Sequence, residues 1–127
     1  KIKENAEKFY FKEKIKFLGV RNDINELYNV MDVFILPSLY EGLPVVGIEA
    51  QNNGVPCLFS NTITNELKIN NNVKFLNLSK PEEWIKELKL IRNDYNTNRN
   101  IINKNKFDIK IISNKIQNSY LNFYTEL

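Results

Sequence analysis

Hydrophobic and polar positions along this chain follow two rhythms in turn: short apolar runs, and longer stretches with an apolar residue every three or four positions. The runs predict strands at residues 15–18, 33–36, 55–59 and 73–76. Between and around them, helical spacing predicts helices at residues 1–11, 22–31 and 44–53, a short one at 64–69, and further helices from Pro81 onward, at 97–104 and at 108–127. Asp23 and Glu26 have the spacing of a capping box ahead of Leu27, Val30 and Met31, and Ser79 and Glu82 repeat it around Pro81. Gly19 and Pro37 stop two of the strands, Pro44 stands in the first turn of its helix, and Gly54 closes that helix. Val33-Phe34-Ile35-Leu36 has no polar member, which predicts a parallel strand buried on both faces. Strands separated by helices imply right-handed βαβ units, hence an α/β fold with a parallel sheet and a ligand crevice at the strands' C-terminal ends.

Composition narrows the classes. The 127 residues, 43% of them hydrophobic, suffice for one core and leave no room for two ordinary domains. The chain opens on Lys1 with an amphipathic segment, which predicts a piece cut from a longer protein. No apolar run approaches the roughly 18 residues needed to cross a bilayer, so a cytoplasmic protein is expected. Cys57 stands alone in an apolar run and the chain has no histidine, so a buried thiol is expected and His-dependent chemistry is excluded. The net charge of +3 comes from lysines scattered among asparagines, without the dense basic stripe of a nucleic-acid binder. Trp84, Leu88 and Ile91 have helical spacing and are expected in the core; Tyr120, Phe123 and Tyr124 are expected to pack the last helix onto the sheet.

Candidate chemistry concentrates in residues 37–50, Pro-Ser-Leu-Tyr-Glu-Gly-Leu-Pro-Val-Val-Gly-Ile-Glu-Ala. Glu41 falls in the turn between a strand and a helix, and Glu49 inside the helix. The backbone N–H groups of Gly42, Leu43, Val45 and Val46 lie at the helix start, where they and the helix dipole suit a phosphate; Pro44 has no N–H to give. A carboxylate beside a phosphate would repel it, whereas one carboxylate can accept from two neighbouring hydroxyls of a sugar. The two glutamates therefore read as hydroxyl clamps on a sugar-phosphate ligand. A solvated turn residue and a surface helix position would carry the same spacing, and spacing alone leaves both readings open.

Phe17-Leu18-Gly19, Asn22-Asp23-Ile24, Glu26-Leu27-Tyr28, Asp32 through Ser38, Glu41-Gly42-Leu43-Pro44, Glu49-Ala50 and Gly54-Val55-Pro56, in this order and spacing, resemble the C-terminal domain of family-4 (group 1) retaining glycosyltransferases of the GT-B fold. The match runs from about Phe17 to Leu78, and the helices after Pro81 follow the family only loosely. Residues 60–66 resemble the bacterial capsular and exopolysaccharide branch.

The resemblance implies a Rossmann-like sheet flanked by helices, with residues 1–127 forming part of the donor-binding domain of a larger protein. The domain's first strand and helix, and the whole N-terminal acceptor domain, would precede Lys1. It implies transfer of a sugar from a nucleotide-sugar donor, expected to be UDP-linked, to an acceptor hydroxyl with retention of configuration, in polysaccharide biosynthesis. Glu41 would contact the donor sugar, as the catalytic residue of this part, and Glu49 the ribose hydroxyls. Backbone N–H groups of Gly42, Leu43, Val45 and Val46 would hold the sugar or diphosphate, and Val20 and Arg21 would meet the base. No Asp-x-Asp pair is present, so no metal and no cofactor beyond the donor are expected. The family's diphosphate-neutralising arginine and lysine would lie upstream, which predicts an inactive isolated chain that self-associates through an orphaned apolar face. The acceptor, a sugar or lipid-linked sugar, would be bound by the missing domain, with the whole protein at the inner face of the membrane. The alternative is a sugar-nucleotide-binding or scaffold module without catalysis.

Overall fold

The computed structural model describes residues 2–93, 99 and 108–125, excluding the side chains of residues 120 and 123–125. The helices α1 (Ile2–Ala6) and α2 (Ile24–Val30) come first, followed by β1 (Phe34–Leu36), α3 (Val45–Asn52), β2 (Cys57–Ser60), β3 (Val73–Leu76), α4 (Pro81–Asn93) and α5 (Ile109–Thr125). The three strands form one parallel sheet in the order β1-β2-β3, as the alternation of elements predicts.

Burial follows from position in that sheet. Central β2 is covered on both faces, and Cys57, Leu58, Phe59 and Ser60 are all buried. The pairings Phe34 with Cys57, Cys57 with Val73, Leu36 with Phe59, and Phe59 with Phe75 line up two cross-strand rows on one face. Tyr28, Ala50, Ile63 and Leu67 pack into the same cluster. Its aromatic rings meet edge-on or tilted, Tyr28 to Phe34 at 6.1 Å, Phe34 to Phe59 at 6.4 Å and Phe59 to Phe75 at 5.7 Å between centroids. Those spacings fall in the range that stabilises aromatic pairs beyond their buried area.

Helix α3 lies close against this face because Gly47 has no side chain. A Cβ there would stand 3.1 Å from the Phe59 ring and 3.2 Å from the Leu67 methyls. On the opposite face α4 leaves a groove of about 550 Å³ lined by Pro56, Leu58, Lys74, Glu87, Leu90 and Ile91.

Several elements depart from expectation. Residues 15–18 form no strand; Phe17 and Leu18 are half exposed, and the sheet among the described residues has three strands. A strand-like composition yields a strand only where a partner's ladder accepts it, and this segment pairs with no strand among the described residues. Edge strand β1 is open on one face, with Ile35 39% exposed rather than buried. The first helix ends at Ala6, residues 7–11 run in turns instead of its second half, and a 3-10 turn follows at Lys12–Lys14. The short helix expected at 64–69 is a 3-10 turn at Asn65–Leu67, held by Thr64, whose hydroxyl accepts from the Glu66 N–H.

The first capping box does not form. Asp23 stands at the N-cap of α2 but gives it no side-chain hydrogen bond, because its carboxylate is taken by Arg21. At the second, the Ser79 backbone N–H donates to Asn77 Oδ1 at 2.9 Å, and α4 opens at Pro81. Trp84, Leu88 and Ile91 are half-buried rather than core, with the Trp84 indole N–H donating to the Asn77 carbonyl at 2.9 Å. Helix α5 matches the pattern at 108–127, whereas the helix expected at 97–104 and the packing of Tyr120, Phe123 and Tyr124 lie outside the described residues.

Candidate functional site

The loop after β1 delivers the chain to the start of α3, at the C-terminal end of the sheet. Pro44 is the N-cap rather than the first helical residue; it is buried in extended backbone and caps the helix with no side-chain bond. The Gly47 N–H turns back to the Pro44 carbonyl at 3.0 Å. The N–H groups of Val45 and Val46 come before any intrahelical acceptor, as at every helix start. Both residues are exposed, and a Cβ at Gly42 would meet nothing within 4 Å. The positive end of α3 is thus open to an anion.

The other end of α3 is closed. Gly54, at φ +72°, turns the chain so that its N–H donates to the Gln51 carbonyl at 2.9 Å and the Val55 N–H to the Ala50 carbonyl at 3.1 Å. This paired pattern is the Schellman motif, and glycine adopts the left-handed conformation it needs without strain. Buried Gln51 adds four bonds through its amide: it donates to the carbonyls of Gly47 and Leu67, both at 2.9 Å, and accepts from the N–H groups of Ile69 at 3.0 Å and Asn70 at 3.2 Å.

Both glutamates are half-buried, and each has one oxygen held by a hydroxyl. Ser38 Oγ donates to Glu41 Oε1 at 3.0 Å. The same serine's carbonyl accepts from Thr62 Oγ1 at 3.0 Å, and Thr62 Oγ1 lies 2.7 Å from Ser60 Oγ. Since the Thr62 proton goes to Ser38, the Ser60 hydroxyl donates to Thr62. The loop carrying Glu41 is in this way stitched to the loop that leaves β2.

Glu49 sits about 6 Å along the helix axis from Val45. Tyr28, wholly buried, donates its hydroxyl to Glu49 Oε2 at 3.0 Å and lies 3.3 Å from the Val46 carbonyl. Burial, with the neighbouring Glu49, pushes the Tyr28 hydroxyl up to about 12, so it stays a donor at neutral pH.

Val20 and Arg21 lie in the bend before α2. Val20 is fully exposed, and the Arg21 guanidinium is engaged by Asp23 through Nε at 2.7 Å and through Nη2. That contact raises the arginine above its ordinary value and holds the aspartate below its own. The link from this part of the chain to the glutamates is Tyr28, on the helix that follows.

The comparisons with known proteins agree with this architecture. Residues 1–107 match the family Glycosyl transferases group 1, and the chain belongs to that family. It is 35% identical over 117 residues to UDP-Gal:alpha-D-GlcNAc-diphosphoundecaprenol alpha-1,3-galactosyltransferase of Escherichia coli, covering 87% of this chain and 30% of that protein. It is 47% identical over 66 residues to EpsF of Bacillus subtilis (strain 168), provisionally named a glycosyltransferase, covering 52% of this chain and 17% of EpsF. It is also 47% identical over 55 residues to the Vi polysaccharide biosynthesis protein VipC/TviE of Salmonella typhi, covering 43% of this chain and 10% of that protein. The chain therefore spans less than a third of the length of these relatives. No solved structure matches it. Among the described residues no helix is long and apolar enough to cross a membrane.

The structure puts Glu41, Gly42 and Leu43 on the loop before α3, Val45 and Val46 in its first turn and Glu49 about one turn further along it. Sequence reasoning missed the hydroxyls that orient the carboxylates, Ser38 and Tyr28. Tyr28 carried a readable signal, a phenol on an otherwise amphipathic helix just before a wholly apolar strand.

Proposed function

We propose that this chain is the nucleotide-sugar-binding part of a longer glycosyltransferase that moves a sugar to an acceptor hydroxyl with retention of configuration, in bacterial polysaccharide biosynthesis. One observation carries the reading: two half-buried carboxylates, each held by a separate hydroxyl, flank a helix start whose N–H groups are open to an anion. A nucleotide-sugar offers diphosphate, sugar hydroxyls and a ribose diol in one ligand. The diphosphate matches the Val45 and Val46 N–H groups and the dipole of α3, with Gly42 and Leu43 N–H groups beside them. Glu41 accepts from hydroxyls of the transferred sugar and Glu49 from the ribose, while Val20 and Arg21 meet the base through their backbone.

In the transfer step negative charge builds on the departing diphosphate. Backbone donors already aimed at that charge stabilise it without reorganisation. Glu41 fixes the sugar so that its reacting carbon faces the acceptor, a positioning effect. The UDP of the Escherichia coli relative's donor makes UDP the first nucleotide to try.

The test measures sugar transfer and donor affinity in the full-length protein with Glu41→Ala and Glu49→Ala. Loss of transfer with the first and weakened donor binding with the second are expected. Unchanged turnover and affinity in both would remove the assignment.

A further inference from the structure

The reading above gives Glu49 a ribose diol to hold, and the inference here rests on that reading. A carboxylate on a helix surface has several rotamers, and only some present both oxygens to a vicinal diol. What fixes Glu49 comes from a different element: Tyr28, wholly buried on α2, with its ring edge-on to Phe34 at 6.1 Å. A ring so packed has its hydroxyl in one place. That hydroxyl donates to Glu49 Oε2 at 3.0 Å while standing 3.3 Å from the carbonyl of Val46, whose own N–H belongs to the anion-facing turn. The bond uses one lone pair of Oε2. The other lone pair and both of those on Oε1 stay available, enough to accept from two hydroxyls at once.

We propose that Tyr28 is the positioning residue for ribose recognition: it never touches the nucleotide, but it locks the Glu49 carboxylate in the orientation that distinguishes a ribonucleotide from its 2′-deoxy counterpart. Packing between α2 and α3 alone would give Tyr28 a different signature. Loosening that packing weakens every nucleotide by the same factor, whereas a misplaced Glu49 loses the diol and spares the deoxy ligand.

The experiment measures binding of UDP, ADP and GDP and of their 2′-deoxy forms to the full-length protein and to its Tyr28→Phe and Glu49→Ala variants, by calorimetry. Tyr28→Phe removes one oxygen and keeps the ring, so the core stays filled. For the nucleotide that binds best, Glu49→Ala is expected to bring the ribo-to-deoxy affinity ratio to near one, and Tyr28→Phe to lower that ratio by about threefold to tenfold, the size of one net hydrogen bond. If Glu49→Ala collapses the ratio and Tyr28→Phe leaves it at the parent value, or weakens both forms equally, the positioning role is overturned while the diol reading stands. If Glu49→Ala leaves the ratio unchanged, or none of the nucleotides binds, the diol reading falls and the role of Tyr28 with it.

Discussion

Ser38 and Glu41 are joined side chain to side chain at 3.0 Å, three residues apart in the loop that carries the chain from sheet to helix. The serine is also anchored through its carbonyl to Thr62, so its hydroxyl is aimed by the neighbouring loop rather than by its own backbone alone. Ser38→Ala should therefore lower sugar transfer by about threefold to tenfold, the effect of one lost hydrogen bond to a working carboxylate, with little change in melting temperature. Steady-state kinetics alongside thermal melts would check this; an unchanged kcat/KM would show that Glu41 needs no such support.

Two glycines of the same segment should respond in opposite ways. Gly47→Val places methyl groups against Phe59 and Leu67, where even a Cβ stands at 3.1 to 3.2 Å, and should cost about 1–3 kcal/mol of stability. Gly42→Ala meets nothing within 4 Å and should leave stability within about 0.5 kcal/mol. In the proposed binding mode its methyl would stand where the diphosphate approaches the backbone, so nucleotide affinity should fall instead. Urea unfolding and a binding titration on both variants separate the two effects.

Gln51→Ala should be among the most damaging single changes in the described structure. It strands the N–H groups of Ile69 and Asn70 and the carbonyl of Leu67 in the interior, a loss of about 2–4 kcal/mol. Chemical denaturation would measure it, and a loss under about 1 kcal/mol would mean that water replaces the amide.

Two buried acids make the fold sensitive to alkali. Burial pushes the Cys57 thiol from its ordinary 9.0 up to about 12, and Tyr28 rises from 10.0 to about 12. Both are neutral when protonated, so the folded state holds its protons at pH values where the unfolded chain has released them. The stability they protect is complete below about pH 9 and is lost as pH rises toward 12, the Cys57 part from 9 upward and the Tyr28 part from 10 upward. Urea midpoints between pH 7 and 11 should be flat and then fall, with a shallower fall in Tyr28→Phe. Cys57 should also resist thiol reagents at pH 8 until the protein is unfolded.

The expectations that matched the structure rest on short-range chemistry. β3 at Val73–Leu76 and α3 between Pro44 and Gly54 are bounded by residues whose backbone preferences act locally, so their limits could be read directly. Two of the failures were decided by something outside the local pattern. Residues 15–18 have the composition of a strand but pair with no edge among the described residues, and composition says nothing about edges. Asp23 has the capping spacing, yet Arg21 two positions earlier wins its carboxylate. In the candidate site the carboxylates and helix start were legible, because glutamate, glycine and proline in that order have few uses at a helix entrance. Their supports were not: Tyr28 lies 21 residues from Glu49, and Thr62 lies 24 from Ser38.

Helix α3 is fastened at one end and bare at the other. Gln51, Gly54 and Val55 clamp its last turn to the core, whereas Val45 and Val46 meet solvent without a cap. Mechanically it is a cantilever, and tolerance to substitution should follow the same gradient. The exposed positions Leu39, Tyr40, Leu43, Val45 and Val46 can vary in size and polarity with little effect on folding, so a change of donor preference can accumulate there while Glu41, buried Pro44 and the root stay constant. That separation makes those five exposed positions, with Glu41 and Pro44 kept, the natural place to randomise when a new sugar specificity is sought.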